Sequence, residues 1–278
     1  MAKISVFEFE NKKYVGVIDG DNVKITSEYI DFSSIEYAAK AKEFTKTLAI
    51  ADVKILAPIP NPPRVFGMGK NYAEHAKEMA SDVPTTQIWF AKQPTSINSP
   101  YGNVNKPVVS DMLDYEVELV VIIGKTCKHV PKERAQEVVF GYMVGCDFSV
   151  RDWQKASQTW NMGKGFDTHA PIGPYVLTPD EVNDLDALGL RCFVNGQKMQ
   201  DGKIKDMVFK IPDMIEHLTK AMTLLPGDLL FTGTPSGVGM GRNPPFYLKA
   251  GDVVRCEIDE MGFIENEIVP EVVETVIK

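Results

Sequence analysis

Four cysteines in 278 residues, Cys127, Cys146, Cys192 and Cys256, are few and far apart, and none forms a Cys-x-x-Cys pair. That spacing argues against a zinc ribbon and against a disulfide framework, and fits buried thiols in a reducing compartment. Positive charge is in deficit: 30 Lys and Arg stand against 38 Asp and Glu, a net charge of −8. An acidic surface repels phosphate backbones and anionic lipid, so neither nucleic acid nor a membrane is expected as a partner. Long apolar runs are missing too. The longest, residues 119–123, is far short of the ~20 residues that a membrane helix needs. The first ten residues, MAKISVFEFE, carry charges and no apolar stretch of signal length. They do not read as a signal peptide, and the expected location is the cytoplasm.

What is present is an ordinary globular composition, 44% apolar and 24% charged, long enough to bury a core without disulfide or metal. Glycine and proline punctuate short β-rich runs. Residues 3–26 alternate apolar and polar around turn signals, which predicts a small β-meander. Residues 35–50 have helical spacing, and the proline-rich stretch 57–63 reads as an extended linker. We therefore expect a small N-terminal β-rich domain over 1–57 and a larger domain over 63–278. In the latter, strands are expected at 117–124, 139–147, 171–177, 190–196, 228–233 and 253–259, the last turning into a hairpin. Helices are expected near 72–80, 132–138, 151–157 and 213–222. Many strands with irregular links predict an α+β, mostly β chain, a sandwich or roll with peripheral helices.

Five stretches hold residues with chemistry. In DYEVELVVIIG (114–124), the period of two puts Glu116 and Glu118 on one strand face, with Val120 and Ile122 following into the core. Two adjacent carboxylates repel unless a cation joins them, and oxygen ligands suit Mg2+, Mn2+ or Ca2+; a solvated edge strand would look the same. Asp147 ends an apolar run and could be a third ligand, or a helix cap. Arg151 and Gln154, three apart, would share a helix face and could hold a substrate carboxylate and carbonyl. In FGMGKNYAEHAKEMA (66–80), Asn71 reads as an N-cap, and His75 and Glu78 are spaced for an imidazole–carboxylate pair. A surface helix with a stray histidine is the plainer alternative. Lys164 lies between glycines, where it could stabilise an oxyanion or simply be solvated. Residues 232–242 (TGTPSGVGMGR) lack dinucleotide-loop spacing and are followed by Pro244-Pro245; a tight turn showing the Thr234 hydroxyl to a cleft fits better.

Taken together, these pieces resemble the fumarylacetoacetate hydrolase family. They are Asn71-Tyr72-x-x-His75-x-x-Glu78, Glu116-x-Glu118, Asp147-x-x-x-Arg151-Asp152-x-Gln154, Gly163-Lys164-x-Phe166-Asp167 and Gly233-Thr234-Pro235-x-Gly237, in this order over roughly 63–270. The resemblance implies the family's mixed β-sandwich roll, a small N-terminal domain, a homodimer, and a divalent cation (Mg2+ or Mn2+, sometimes Ca2+) on Glu116, Glu118 and Asp147. It implies a His75–Glu78 acid–base dyad on a closing segment, a charge-stabilising set of Lys164, Arg151 and Gln154, and substrate contact from Thr234. The substrate class it implies is a 2-keto acid reacting through an enolate. C–C hydrolysis of an acylpyruvate or related β-diketone acid is the leading expectation. Oxaloacetate-type decarboxylation and 2-hydroxy-diene-dioate isomerisation on the same site are alternatives, and a keto-acid binder without turnover is the non-enzyme alternative.

Overall fold

The computed structural model describes residues 3–26 and 43–277. The N-terminal segment forms the expected meander of β1 (Lys3–Phe9), β2 (Lys12–Asp19) and β3 (Asn22–Ile25). It continues into β4 (Lys46–Ala49) and β5 (Lys54–Leu56). The helix expected over 35–50 lies outside the described residues up to position 42. Its last part is strand, because Lys46–Ala49 pairs with β3, and that tertiary pairing overrides helical spacing.

Beyond the proline-rich stretch come β6 (Val65–Gly69), helix α1 (Ala73–Glu78), β7 (Ile88–Lys92), β8 (Ile97–Asn98), β9 (Val104–Lys106), β10 (Leu113–Asp114), β11 (Val117–Ile123), β12 (Val139–Cys146) and β13 (Ser149–Val150). Two short helices, α2 (Arg151–Lys155) and α3 (Asn161–Lys164), precede β14 (Ala170–Leu177), β15 (Gly189–Val194) and β16 (Gln197–Lys203). Helix α4 (Ile211–Ala221), β17 (Leu229–Phe231), β18 (Val253–Ile258) and β19 (Gly262–Pro270) complete the chain. The helix expected at 132–138 is a 3-10 segment.

The strands make two principal mixed sheets. The larger runs β4-β3-β2-β1-β14-β12-β11-β17-β6-β7, with β5 on β1 and β8 on β14; the smaller runs β16-β15-β18-β19-β9. Pairs β17–β6, β8–β14 and β9–β19 are parallel and the rest antiparallel. The fold is mostly β with helices outside, as expected. Strand β1, from the N-terminal segment, hydrogen-bonds to β14 of the rest of the chain, and Ser5 donates its hydroxyl to Pro174 O at 2.6 Å.

Strand β11 organises the core. Its odd residues Val117, Leu119, Val121 and Ile123 pack with Leu190, Cys192, Val254 and Cys256 of the smaller sheet and Met214, Ile215 and Leu218 of α4. Its even residues Val120 and Ile122 pack with Val6, Ile172, Val176 and Phe231 on the other face. The even face therefore changes, at its N-terminal end, from apolar core to Glu118 and Glu116. All four cysteines are buried and free. Among the described residues no helix is long and apolar enough to cross a membrane.

Candidate active site

Glu116 and Glu118 converge from the start of β11, and Asp147 meets them from the end of β12, its amide donating to Glu116 O at 2.8 Å. One oxygen of each of the three buried carboxylates lies within 4.8 Å of the others. Such a cluster folds only if its charge is answered. Lys164 places Nζ 2.5 Å from Glu116 Oε2 and 2.6 Å from Asp147 Oδ2. Lys92, at the end of β7, donates to Asp147 Oδ1 at 2.7 Å and Lys164 O at 2.6 Å. Arg151 donates Nε to Asp114 Oδ2 at 2.8 Å and Nη1 to Gln154 Oε1 at 3.0 Å.

Burial alone would raise Glu116, but Arg151 and Lys164 overturn that and hold its carboxyl below the usual range. Burial raises Glu118 well above its ordinary value, and the charges of Asp147 and Glu116 add to it. Its hydrogen-bond donor is the Gly233 amide, at 2.7 Å. Burial lowers Lys92, whereas at Lys164 the carboxylates of Asp147 and Glu116 outweigh burial and raise the ammonium. Four buried carboxylates, counting Asp114, thus face three buried cations. The excess negative charge falls on Glu118, where a proton or a metal ion must answer it. An all-oxygen, closely spaced donor set fits a hard divalent cation such as Mg2+, Mn2+ or Ca2+.

His75 stands on α1, 7% exposed, with Nδ1 3.3 Å from Glu78 Oε2. Glu78 in turn accepts from the Gly237 amide at 2.9 and 3.1 Å, so the dyad is tied to the turn that also supplies Gly233 to Glu118. The expected cap is displaced: α1 begins after Tyr72, and Asn71 is buried. Its side chain accepts from Phe209 N at 2.8 Å and donates to Phe209 O at 3.0 Å and Thr232 O at 2.8 Å. A buried amide that satisfies three backbone groups is worth more here than a cap.

These groups surround one cavity of about 250 Å³. His75, Glu116, Glu118, Arg151, Gln154, Lys164 and Thr234 line it, while Glu78 and Asp147 stand directly behind His75 and Lys164. The structure thus gathers all nine residues singled out from the sequence, with changes of detail. Thr234 already donates to Val117 O at 2.8 Å and accepts from Gln200 Nε2 at 2.7 Å, so it has no proton left for a ligand. Lys164 is the last residue of α3 rather than part of an open loop, and Gly163 explains the glycine before it. A Cβ at Gly163 would meet Gln154 N at 2.3 Å, so only glycine lets α2 and α3 approach. Arg151 spends most of its fork on protein acids. Its Nη2 lies 2.8 Å from Asp114 and 2.7 Å from Glu116, but off the N–H directions, and is left as a buried donor without a hydrogen-bond acceptor.

Three contributors escaped the sequence reading. Asp114 shares the strand parity of Glu116 and Glu118, a signal that was present in the period of two. It holds Arg151 and accepts from Gly239 N at 2.7 Å and Met240 N at 3.0 Å. Lys92 ends the apolar run Ile88–Lys92, where a fully buried lysine predicts a partner. Gln200 lies on β16, a strand absent from the sequence expectations, and also accepts from Val117 N at 3.0 Å.

The family model for the fumarylacetoacetate (FAA) hydrolase C-terminal region matches residues 64–269. The mitochondrial oxaloacetate tautomerase fahd2 of Xenopus laevis is 45% identical over 224 residues, 80% of this chain and 70% of that protein. The fumarylacetoacetate hydrolase of psychrophilic Exiguobacterium antarcticum superposes with a TM-score of 0.87 at 33% identity, covering 98% of this chain and 100% of the other. A 5-carboxymethyl-2-hydroxymuconate delta-isomerase from Mycobacterium smegmatis superposes at 0.83 and 33% identity, over 98% and 100%. The carboxylate trio, the His–Glu dyad and these likenesses agree: the chain belongs to the fumarylacetoacetate hydrolase family of enzymes.

Proposed function

We propose that this protein moves a proton at the carbon next to the carbonyl of a 2-keto acid, interconverting keto and enol forms as an oxaloacetate tautomerase does. The observation that carries this reading is His75, backed by Glu78, on the wall of the same cavity as the carboxylate trio. A divalent cation held by Glu116, Glu118 and Asp147 supplies Lewis-acid polarisation of the keto-acid end when bound.

The chain's own residues do the rest. Arg151, ion-paired to Asp114 and Glu116, holds Gln154 by its side-chain oxygen, so that the Gln154 amide N–H, on the cavity wall, is the donor offered to the substrate 1-carboxylate. The second nitrogen of His75 takes the C3 proton, because Nδ1 faces Glu78. Glu78 stabilises the imidazolium, and Gly237 fixes Glu78 while it does so. The imidazolium returns the proton to the substrate oxygen, and no water is consumed. Lys164 bridges Glu116 and Asp147 and, with Arg151, keeps Glu116 ionised through the cycle.

Hydrolysis of a C–C bond in an acylpyruvate on this site is the second reading, favoured by the structural likeness to the Exiguobacterium protein. It would use His75 to activate water instead. The test is an activity panel with Mg2+ or Mn2+: enol–keto exchange of oxaloacetate, cleavage of acylpyruvates, and isomerisation of hydroxymuconate-type dienes. Acceleration of exchange, reduced on the order of 10²–10⁴-fold in His75→Gln, supports the proposal. Cleavage of an acylpyruvate without exchange of oxaloacetate would replace it with the hydrolase reading.

A further inference from the structure

At the inner end of the cavity every cation is answered by a carboxylate; nearer its mouth the cations are not. Lys92, Lys164 and Arg151 are all taken by Asp147, Glu116 and Asp114. Met68, Met79, Phe90, Trp160 and Met240 form apolar walls. Lys70 and Lys155 also line the cavity, and neither has an ion-pair partner among the described residues. In a chain with a net charge of −8, two unanswered cations facing one cavity need a reason.

The backbone at Lys70 supplies one. Its φ is +56°, in the left-handed region that a side chain with a Cβ disfavours. Both neighbours pin it there. Gly69 packs beneath Trp160, where a Cβ would meet the ring at 2.4 Å, and Asn71 is anchored by the three bonds already described. A glycine at position 70 would relieve the strain; a half-buried lysine occupies it instead, among the residues that line the cavity. Over-determined strain at a cavity wall is where functional side chains are found.

We propose that Lys70, seconded by the more exposed Lys155, is the specificity-determining residue that receives the second carboxylate of a dianionic 2-keto acid. The inference rests on the keto-acid reading and sharpens it. The inner end takes the keto-acid head, the apolar walls take the linking carbons, and the mouth takes an anionic tail. A monoanionic acylpyruvate leaves Lys70 unused.

Oxaloacetate and its 4-methyl ester differ in tail charge and little else. With Mg2+, the kcat/KM ratio of diacid to ester is expected to fall about 5–20-fold in Lys70→Gln, a half-buried charge-assisted contact, and about twofold in Lys155→Gln. The loss should appear in KM, and Lys70→Arg should restore most of it. Oxalate, which has no tail, should inhibit wild type and Lys70→Gln within about twofold of each other. Equal losses on diacid and ester, or a parallel loss of oxalate inhibition, would mark Lys70 as structural and overturn the proposal, as would no change in the ratio. If wild type turns over neither compound, the keto-acid reading falls by itself. Lys70 is then judged by calorimetric titration of the same pair with Mg2+, on the same ratio.

Discussion

At the residue scale, the proposed function gives proton work and metal work to different side chains, which substitution should separate. Glu118→Gln keeps an acceptor for the Gly233 amide but removes the charge that calls for a cation. It should keep its Tm and lose at least tenfold in Mg2+ or Mn2+ affinity, measured by calorimetry. His75→Gln should hold metal and oxalate nearly as wild type does while losing turnover. A Glu118→Gln protein with wild-type metal affinity would remove the carboxylate trio from consideration as a metal centre.

His169 carries a second residue-scale prediction, in stability. It is 1% exposed, its Nε2–H donates to Asn105 O at 2.8 Å, and its Nδ1 is buried without a partner. Burial pulls the imidazole down from an ordinary 6.5 to about 3. The folded state therefore binds this proton less readily than the unfolded state. The stability from neutral His169 is fully present above pH 6.5 and is lost as pH falls from 6.5 towards 3. His169→Phe cannot titrate and should flatten the acid slope of Tm across that window. An unchanged slope would show that other groups set the acid limb.

At the scale of elements, α1 is short, with no side-chain cap, and depends on outside contacts to stay in place. Glu78 provides one through Gly237. Glu78→Gln can still accept from that amide, whereas Glu78→Ala cannot. Amide exchange over residues 72–80 should rise markedly in Glu78→Ala and only slightly in Glu78→Gln, and kcat should fall in the same order. Equal exchange in both variants would show that the latch contributes nothing. The elements also show what a sequence can reveal. Strands β11 and β12 were legible because they are apolar runs, the first opening on acids and the second ending beside one, and the parity of Glu116 and Glu118 located the site. The anchoring role of Asn71 was not, since its partners, Phe209 and Thr232, are distant in sequence. Nor was the saturation of Thr234 by Val117 and Gln200. Side-chain identity is written locally, but hydrogen-bond partners across the fold are not.

For the whole molecule, the N-terminal meander is part of the larger sheet rather than an appendage on it. Ile4, Val6, Val15 and Val17 share one apolar cluster with Ile172, Val176 and Phe231. Removing residues 1–57 would bare this cluster and the edge of β14, a ready template for unwanted pairing. The truncated chain is expected to aggregate, or to melt well below the full-length chain, in a light-scattering thermal ramp. A monodisperse fragment with full-length Tm would show that the meander is dispensable.

Strand β17 pairs with β11 on one side and β6 on the other, and the turn after it donates to both Glu118 and Glu78. It is thus the weld between the acid trio and the dyad, yet it lies late in the chain. On a ribosome, residues 65–123 emerge well before residues 229–241. Until then Glu118 has no amide donor, β6 and β11 have an open edge each, and His75 has no fixed relation to the acids. The reactive centre cannot exist on a growing chain. It is completed only once residues 229–241 have emerged, so a product that stops before them holds all three carboxylates of the trio and no assembled site.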